Sequence, residues 1–143
     1  MCIFSNIPYN LVIIEFMKTI LVDAIGAFVI KGEGIYKPMQ QMLDTFPNDK
    51  IILTGANDEQ MIEFGLTNLP YELFTLKHNP EKTEPEYFKK MLQQYKLSSD
   101  DVVYFEHSQE AVVSAQSAGI ITYFYDPVEK NIDVLQKFLD KNL

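Results

Sequence analysis

Five short runs of aliphatic and β-branched residues recur along the chain, and helix-spaced apolar patterns lie between and after them. The runs are Thr19–Val22 ending at Asp23, Ile51–Leu53 ending at Thr54 and Gly55, Tyr71–Thr75, Val102–Phe105 ending at Glu106, and Ile120–Phe124. Mostly continuous apolar character, rather than strict alternation, predicts strands buried on both faces, as in a parallel sheet. The helical patterns place Met39, Met42, Leu43 and Phe46 on one face of 35–46, and Phe88, Met91, Leu92 and Tyr95 on one face of 85–95. Asn57 or Asp58 suits the N-cap of a short helix over 59–64. Ser108 opens a helix running to Ala118, with Gly119 at the C′ position. A last helix spans 131–139, with Ile132, Leu135, Phe138 and Leu139 apolar.

Alternation of strand and helix predicts an α/β fold. It is a three-layer α/β/α sandwich with a mainly parallel, five-stranded, Rossmann-like sheet and right-handed crossovers. Ligands of such sheets sit outside the carboxyl ends of the strands. The polar residues expected there are Asp23, Thr54, Glu106 and Asp126, with Lys82 in the connection leading to the helix over 85–95.

The 143 residues suit one domain, read as a core over 17–143 with an N-terminal extension over 1–16. A net charge of −8 disfavours general binding to phosphate backbones, so no nucleic-acid partner is expected. Cys2 is the only cysteine, which excludes an intrachain disulfide and a multi-cysteine zinc site. The apolar stretch 11–16 is interrupted by Glu15, too short to span a bilayer, and not preceded by a basic segment. The expectation is therefore no membrane association and a cytoplasmic location. The 18 Tyr and Phe residues are assigned mainly to the core and to an interface, with a homodimer as the expected assembly.

The order Asp, Thr, Lys and acid, each in its local context, resembles the haloacid dehalogenase (HAD) superfamily. Leu21-Val22-Asp23-Ala24-Ile25-Gly26-Ala27 is similar to its first motif, a hydrophobic strand followed by D-x-D-G-T. Ile51 to Gly55 resembles the second, a strand ending in Ser or Thr. Lys82-Thr83-Glu84-Pro85 and Phe88 resemble the third, K-P-x-P-x-x-F, and Val102 to Glu106 the fourth.

The resemblance implies a catalytic pair, Asp23 as nucleophile toward phosphorus and Lys82 neutralising charge. It implies phosphate binding by Thr54, Gly55 and Lys82. It implies Mg²⁺ held by Asp23, the carbonyl of Ile25 and Glu106. The expected activity is weak Mg²⁺-dependent hydrolysis of a phosphorylated small molecule or macromolecule, because Ile25 stands where the family's phosphatases carry a second, proton-transferring aspartate. The alternative is an inactive binding or regulatory protein on the same fold. The intervals between Asp23 and Thr54, and between Thr54 and Lys82, are too short for a cap domain. The first motif also resembles D-A-Y-G-T of the dehalogenase branch, which relies on an arginine, whereas all 12 basic residues here are lysine. A phosphorylation receiver shares the residue types but needs them in another order along the chain.

Plainer readings stand beside these. Asp23 can cap a strand end, Thr54 can bond its own backbone, and an Asp–Lys pair can be structural. His107 is either a substitute acid or base, or a loop residue capping the next helix. His78 is given no site role, and Glu81, Glu84 and Glu86 are read as a solvated helix start.

Overall fold

The strand Thr19–Asp23 (β1) is buried at every position, and everything else is arranged around it. In the computed structural model, which describes residues 17–143, β1 is the middle strand of a five-stranded sheet. The others are Lys50–Thr54 (β4), Glu72–Thr75 (β5), Val102–Glu106 (β6) and Ile121–Phe124 (β7), in the order β5-β4-β1-β6-β7. All four pairings are parallel, as the continuous apolar runs predict. The extension over 1–16 lies outside the described residues.

Side chains of β1 alternate between two cores, as the period of two in a strand requires. Ile20 and Val22 pack with Met39, Met42 and Leu43 of the helix Lys37–Leu43 (α1), and with Leu135 and Leu139 of the helix Ile132–Asn142 (α5). Leu21 packs on the other side, with Tyr87, Phe88, Met91 and Leu92 of Pro85–Tyr95 (α3) and Ala115 of Gln109–Ser117 (α4). Helices thus cover both faces of the sheet, giving the three predicted layers. Asp58–Glu63 (α2) is short and has no fully buried residue. Its N-cap is Asn57, whose side chain and that of Gln60 form a reciprocal capping box.

The helical pattern read over 35–46 overran at both ends, and the helix stops at Leu43, short of Phe46. Ile35 does not begin a helix: Gly34–Ile35 (β3) pairs antiparallel with Val29–Ile30 (β2) as a small hairpin between β1 and α1. The helix starts two residues later, with proline in its first turn, where the missing N–H costs nothing. Among the described residues, no helix is long and apolar enough to cross a membrane.

The chain leaves β1 for β4 on one side and later reaches β6 on the other. The connections therefore diverge at the carboxyl end of β1, which opens a crevice there. Asp23 ends β1, Thr54 ends β4 and Glu106 ends β6.

Candidate active site

A cavity of about 240 Å³ opens at these strand ends and is lined by Asp23, Ile25, Thr54, Gly55, Lys82 and Glu106, among others. The structure thus brings together six of the seven residues named from sequence. Asp126 does not join them: it follows β7 and accepts N–H groups of Val128 and Glu129, forming a turn.

The centre is a cluster of four charged side chains. Lys82 Nζ donates to Asp23 Oδ1 at 2.7 Å and to Glu106 Oε1 at 2.9 Å. His107 Nδ1 lies 2.5 Å from Asp23 Oδ2 and 3.3 Å from Glu106 Oε2. The backbone N–H of His107 donates to Asp23 Oδ2 at 3.0 Å, and that of Ser108 to Glu106 Oε2 at 2.9 Å. The Tyr104 hydroxyl donates to Glu106 Oε1. Every oxygen of the two carboxylates therefore meets at least one donor, which buried carboxylates at 1% exposure require.

These contacts set the protonation order. Burial and the Glu106 charge push Asp23 up, against Lys82 and His107. Glu106 feels burial too, but Lys82 and the hydrogen bonds outweigh it and hold its carboxyl well below the usual range. Of the two, Glu106 ionises first. Burial disfavours the Lys82 charge, yet Asp23 and Glu106 override it and raise the ammonium further. Hydrogen bonds to Asp23 and then Glu106 raise His107 to about 10, so it is an imidazolium at neutral pH.

Thr54 and Gly55 form the floor beside α2. The Thr54 hydroxyl accepts the Ala56 N–H at 3.2 Å and keeps its own proton available. The Thr54 carbonyl accepts from the buried Tyr87 hydroxyl at 2.7 Å, tying β4 to α3. Ile25 is half-buried and apolar, leaving that wall without a proton donor.

Three lining residues escaped the sequence reading. His78, Gln60 and Glu81 join over the cavity: His78 Nε2 lies 2.5 Å from Gln60 Oε1, and Nδ1 lies 2.9 Å from Glu81 Oε1. Glu81 is not in the helix start, since α3 begins at Pro85 with Glu84 as its N-cap. The signal that bears on this is the position of His78 and Glu81 in the connection that also carries Lys82. His107 does not cap the following helix; Ser108 does, accepting from Ala111.

No protein-family model matches the chain, and no curated protein matches it. Solved structures do. A HAD family enzyme from Bacteroides thetaiotaomicron, solved with magnesium and inorganic phosphate, superposes with a TM-score of 0.63 at 14% identity, over 78% of this chain and 95% of that one. A HAD-superfamily hydrolase from Geobacter sulfurreducens superposes at 0.61 with 12% identity, over 76% of this chain and 87% of that one. A haloacid dehalogenase-like protein from Agrobacterium tumefaciens gives 0.55 at 16% identity, over 75% of this chain and 60% of that one. Sheet order, helical layers and these superpositions agree: the chain has the fold of the haloacid dehalogenase superfamily.

Proposed function

We propose that the protein hydrolyses phosphate monoesters slowly, with Asp23 as the nucleophile. The observation that carries this reading is the Asp23–Lys82 contact of 2.7 Å, set in a cavity whose floor is Thr54 and Gly55. An anionic nucleophile and an anionic phosphoryl group repel each other, so cations must stand beside both. Lys82 and His107 stand beside Asp23. In this reading Thr54, whose hydroxyl oxygen accepts the Ala56 N–H, holds the transferring group together with Lys82.

The resemblance assigns Mg²⁺ to Asp23, the Ile25 carbonyl and Glu106. The donor set, as arranged, does not fit that ion. Mg²⁺ takes oxygen ligands in a near-octahedral shell, whereas a ring nitrogen of His107 stands against both carboxylates. The carboxylate oxygens are already engaged, Asp23 by Lys82 and His107, and Glu106 by Lys82, Tyr104 and the Ser108 N–H. Asp23, Glu106 and His107 present ligand atoms within 4.8 Å of one another, a mixed oxygen and nitrogen set unlike the all-oxygen shell of Mg²⁺.

A second reading has its own support. Ile25 cannot move a proton, and general acid–base help is worth about 10²–10⁴-fold. A protein that binds a phosphorylated small molecule or macromolecule without turning it over uses the same cavity. Hydrolysis of p-nitrophenyl phosphate separates the two, because its leaving group departs without a proton. Activity lost in Asp23→Asn supports the hydrolase. Equal background in both proteins overturns it in favour of binding alone.

A further inference from the structure

Away from its charged cluster, the cavity that holds Asp23 has an apolar wall. Ala56, part of the buried core on the α1 and α5 side of the sheet, lines it, and Ile25 and Phe64, half-buried against that same core, continue it. Ala111, in the first turn of α4, adds a fourth apolar surface. Phe64 stands at the carboxyl end of α2. Its ring is held from a second element: Lys31 Nζ, on the turn of the β2–β3 hairpin, lies 5.1 Å from the ring centroid.

The polar side chains beyond the cluster are occupied with one another. Gln60 Oε1 takes the Asn57 backbone N–H at 3.0 Å and meets His78, which in turn meets Glu81. The Ser108 hydroxyl accepts from Ala111. A sugar or polyol set here gives up its water for few new partners, and burying a hydroxyl without a partner is costly. A flat apolar ring gives up no hydrogen bonds, and its contact with the Phe64 ring adds to the gain from area buried. The volume, about 240 Å³, lies below the roughly 300–1,000 Å³ of drug-sized ligand sites, which suits a phosphoryl group with one ring rather than an extended chain.

We propose that the ligand of this cavity is a phosphate monoester of a phenol, with its phosphoryl group at Asp23 and Lys82 and its ring on Phe64 and Ile25. The proposal rests on the reading above for where the phosphoryl group sits. The leaving group agrees with the wall it meets. A phenol ionises near pH 10, as a tyrosine side chain does, so it departs as its anion without the proton that an alkyl alcohol needs. An Asp23 oxygen forms a bond to phosphorus, the bond from phosphorus to the phenolic oxygen breaks, and the phenolate takes its proton from solvent. Water then attacks the aspartyl phosphate at phosphorus, the bond to the Asp23 oxygen breaks, and a water proton passes to solvent with release of inorganic phosphate.

The test reads binding apart from turnover. Phenylphosphonate and methylphosphonate share the phosphoryl oxygens, resist hydrolysis, and differ in the ring. Calorimetric titration of the wild type shows phenylphosphonate binding about tenfold more tightly. In Phe64→Ala that preference falls about three- to tenfold with methylphosphonate unchanged, and Phe64→Tyr keeps it. Equal affinity for the two phosphonates, binding of neither, or a preference that survives in folded Phe64→Ala overturns the proposal. Phenyl phosphate and a short phosphotyrosine peptide carry the same ester, and the higher kcat/KM identifies a free or a protein-borne source; either order supports the proposal. A ring preference without Asp23-dependent turnover of either ester overturns the hydrolase reading and leaves the ligand class standing. Asp23-dependent turnover of p-nitrophenyl phosphate without a ring preference does the reverse.

Discussion

His107 Nδ1 lies 2.5 Å from Asp23 Oδ2, and the His107 backbone N–H donates to that same oxygen. One residue thus clamps one carboxylate oxygen from two directions. The second direction is set by the backbone leaving β6, so the clamp is built into the sheet rather than into a flexible side chain alone.

The first expectation concerns pH. His107 is raised from 6.5 to about 10, first by its hydrogen bond to Asp23 and then by that to Glu106. Its folded-state pKa lies above the unfolded value. The stabilisation is therefore complete below about 6.5 and is lost as pH rises toward about 10. Midpoints of urea unfolding should fall across that window in the wild type. His107→Gln should flatten the dependence; an unchanged slope would contradict an imidazolium on Asp23.

A second expectation follows from the same clamp. Removing the ring frees Asp23 Oδ2 and one contact on Glu106, and leaves the cluster one positive charge short. Calorimetric titration with magnesium chloride should show His107→Ala binding Mg²⁺ more tightly than wild type, by about tenfold or more, equivalent to one pKa unit of electrostatic change. Tighter binding by the wild type would show that His107 helps to hold the ion.

Lys82 is the other cation, and its side chain is only 15% exposed. Lys82→Met leaves Asp23 and Glu106 buried side by side with only the His107 ring shared between them. Breaking a buried pair in this way costs roughly 3–5 kcal/mol. Adding Asp23→Asn and Glu106→Gln should recover much of that loss, since the repelling charges are then gone. Denaturant unfolding of the single and triple variants checks both halves.

Gly26 tests how closely the first motif approaches the clamp. Its φ is +93°, and a Cβ there would stand 3.0 Å from both Cγ and Nδ1 of His107. Gly26→Ala should destabilise by about 1–3 kcal/mol through backbone strain and push the ring off Asp23. The pH dependence of stability should weaken with it, which a purely local strain would not cause.

Much of this was legible in the chain. β1, β4 and β6 are read from unbroken apolar runs, because a strand buried on both faces has no polar side to confuse its period. The residues ending them are read from the rule that parallel sheets bind ligands at their carboxyl ends. The hairpin Val29–Ile30 with Gly34–Ile35 was not legible, since two-residue strands carry no periodicity and Ile35 continues the helical spacing of α1.

The sequence by itself determined which residues stand at the ends of β1, β4 and β6, and that position 25 carries no acid. Local apolar pattern and residue identity suffice for that. Only the tertiary structure decided that His107 turns onto Asp23 rather than onto its own helix, and that His78 reaches the cavity by way of Gln60 and Glu81. Those contacts join residues 84, 18 and 3 positions apart. They depend on how two loops converge over one sheet edge, where side-chain direction is set by backbone φ and by burial, neither of which a residue's neighbours in sequence reveal.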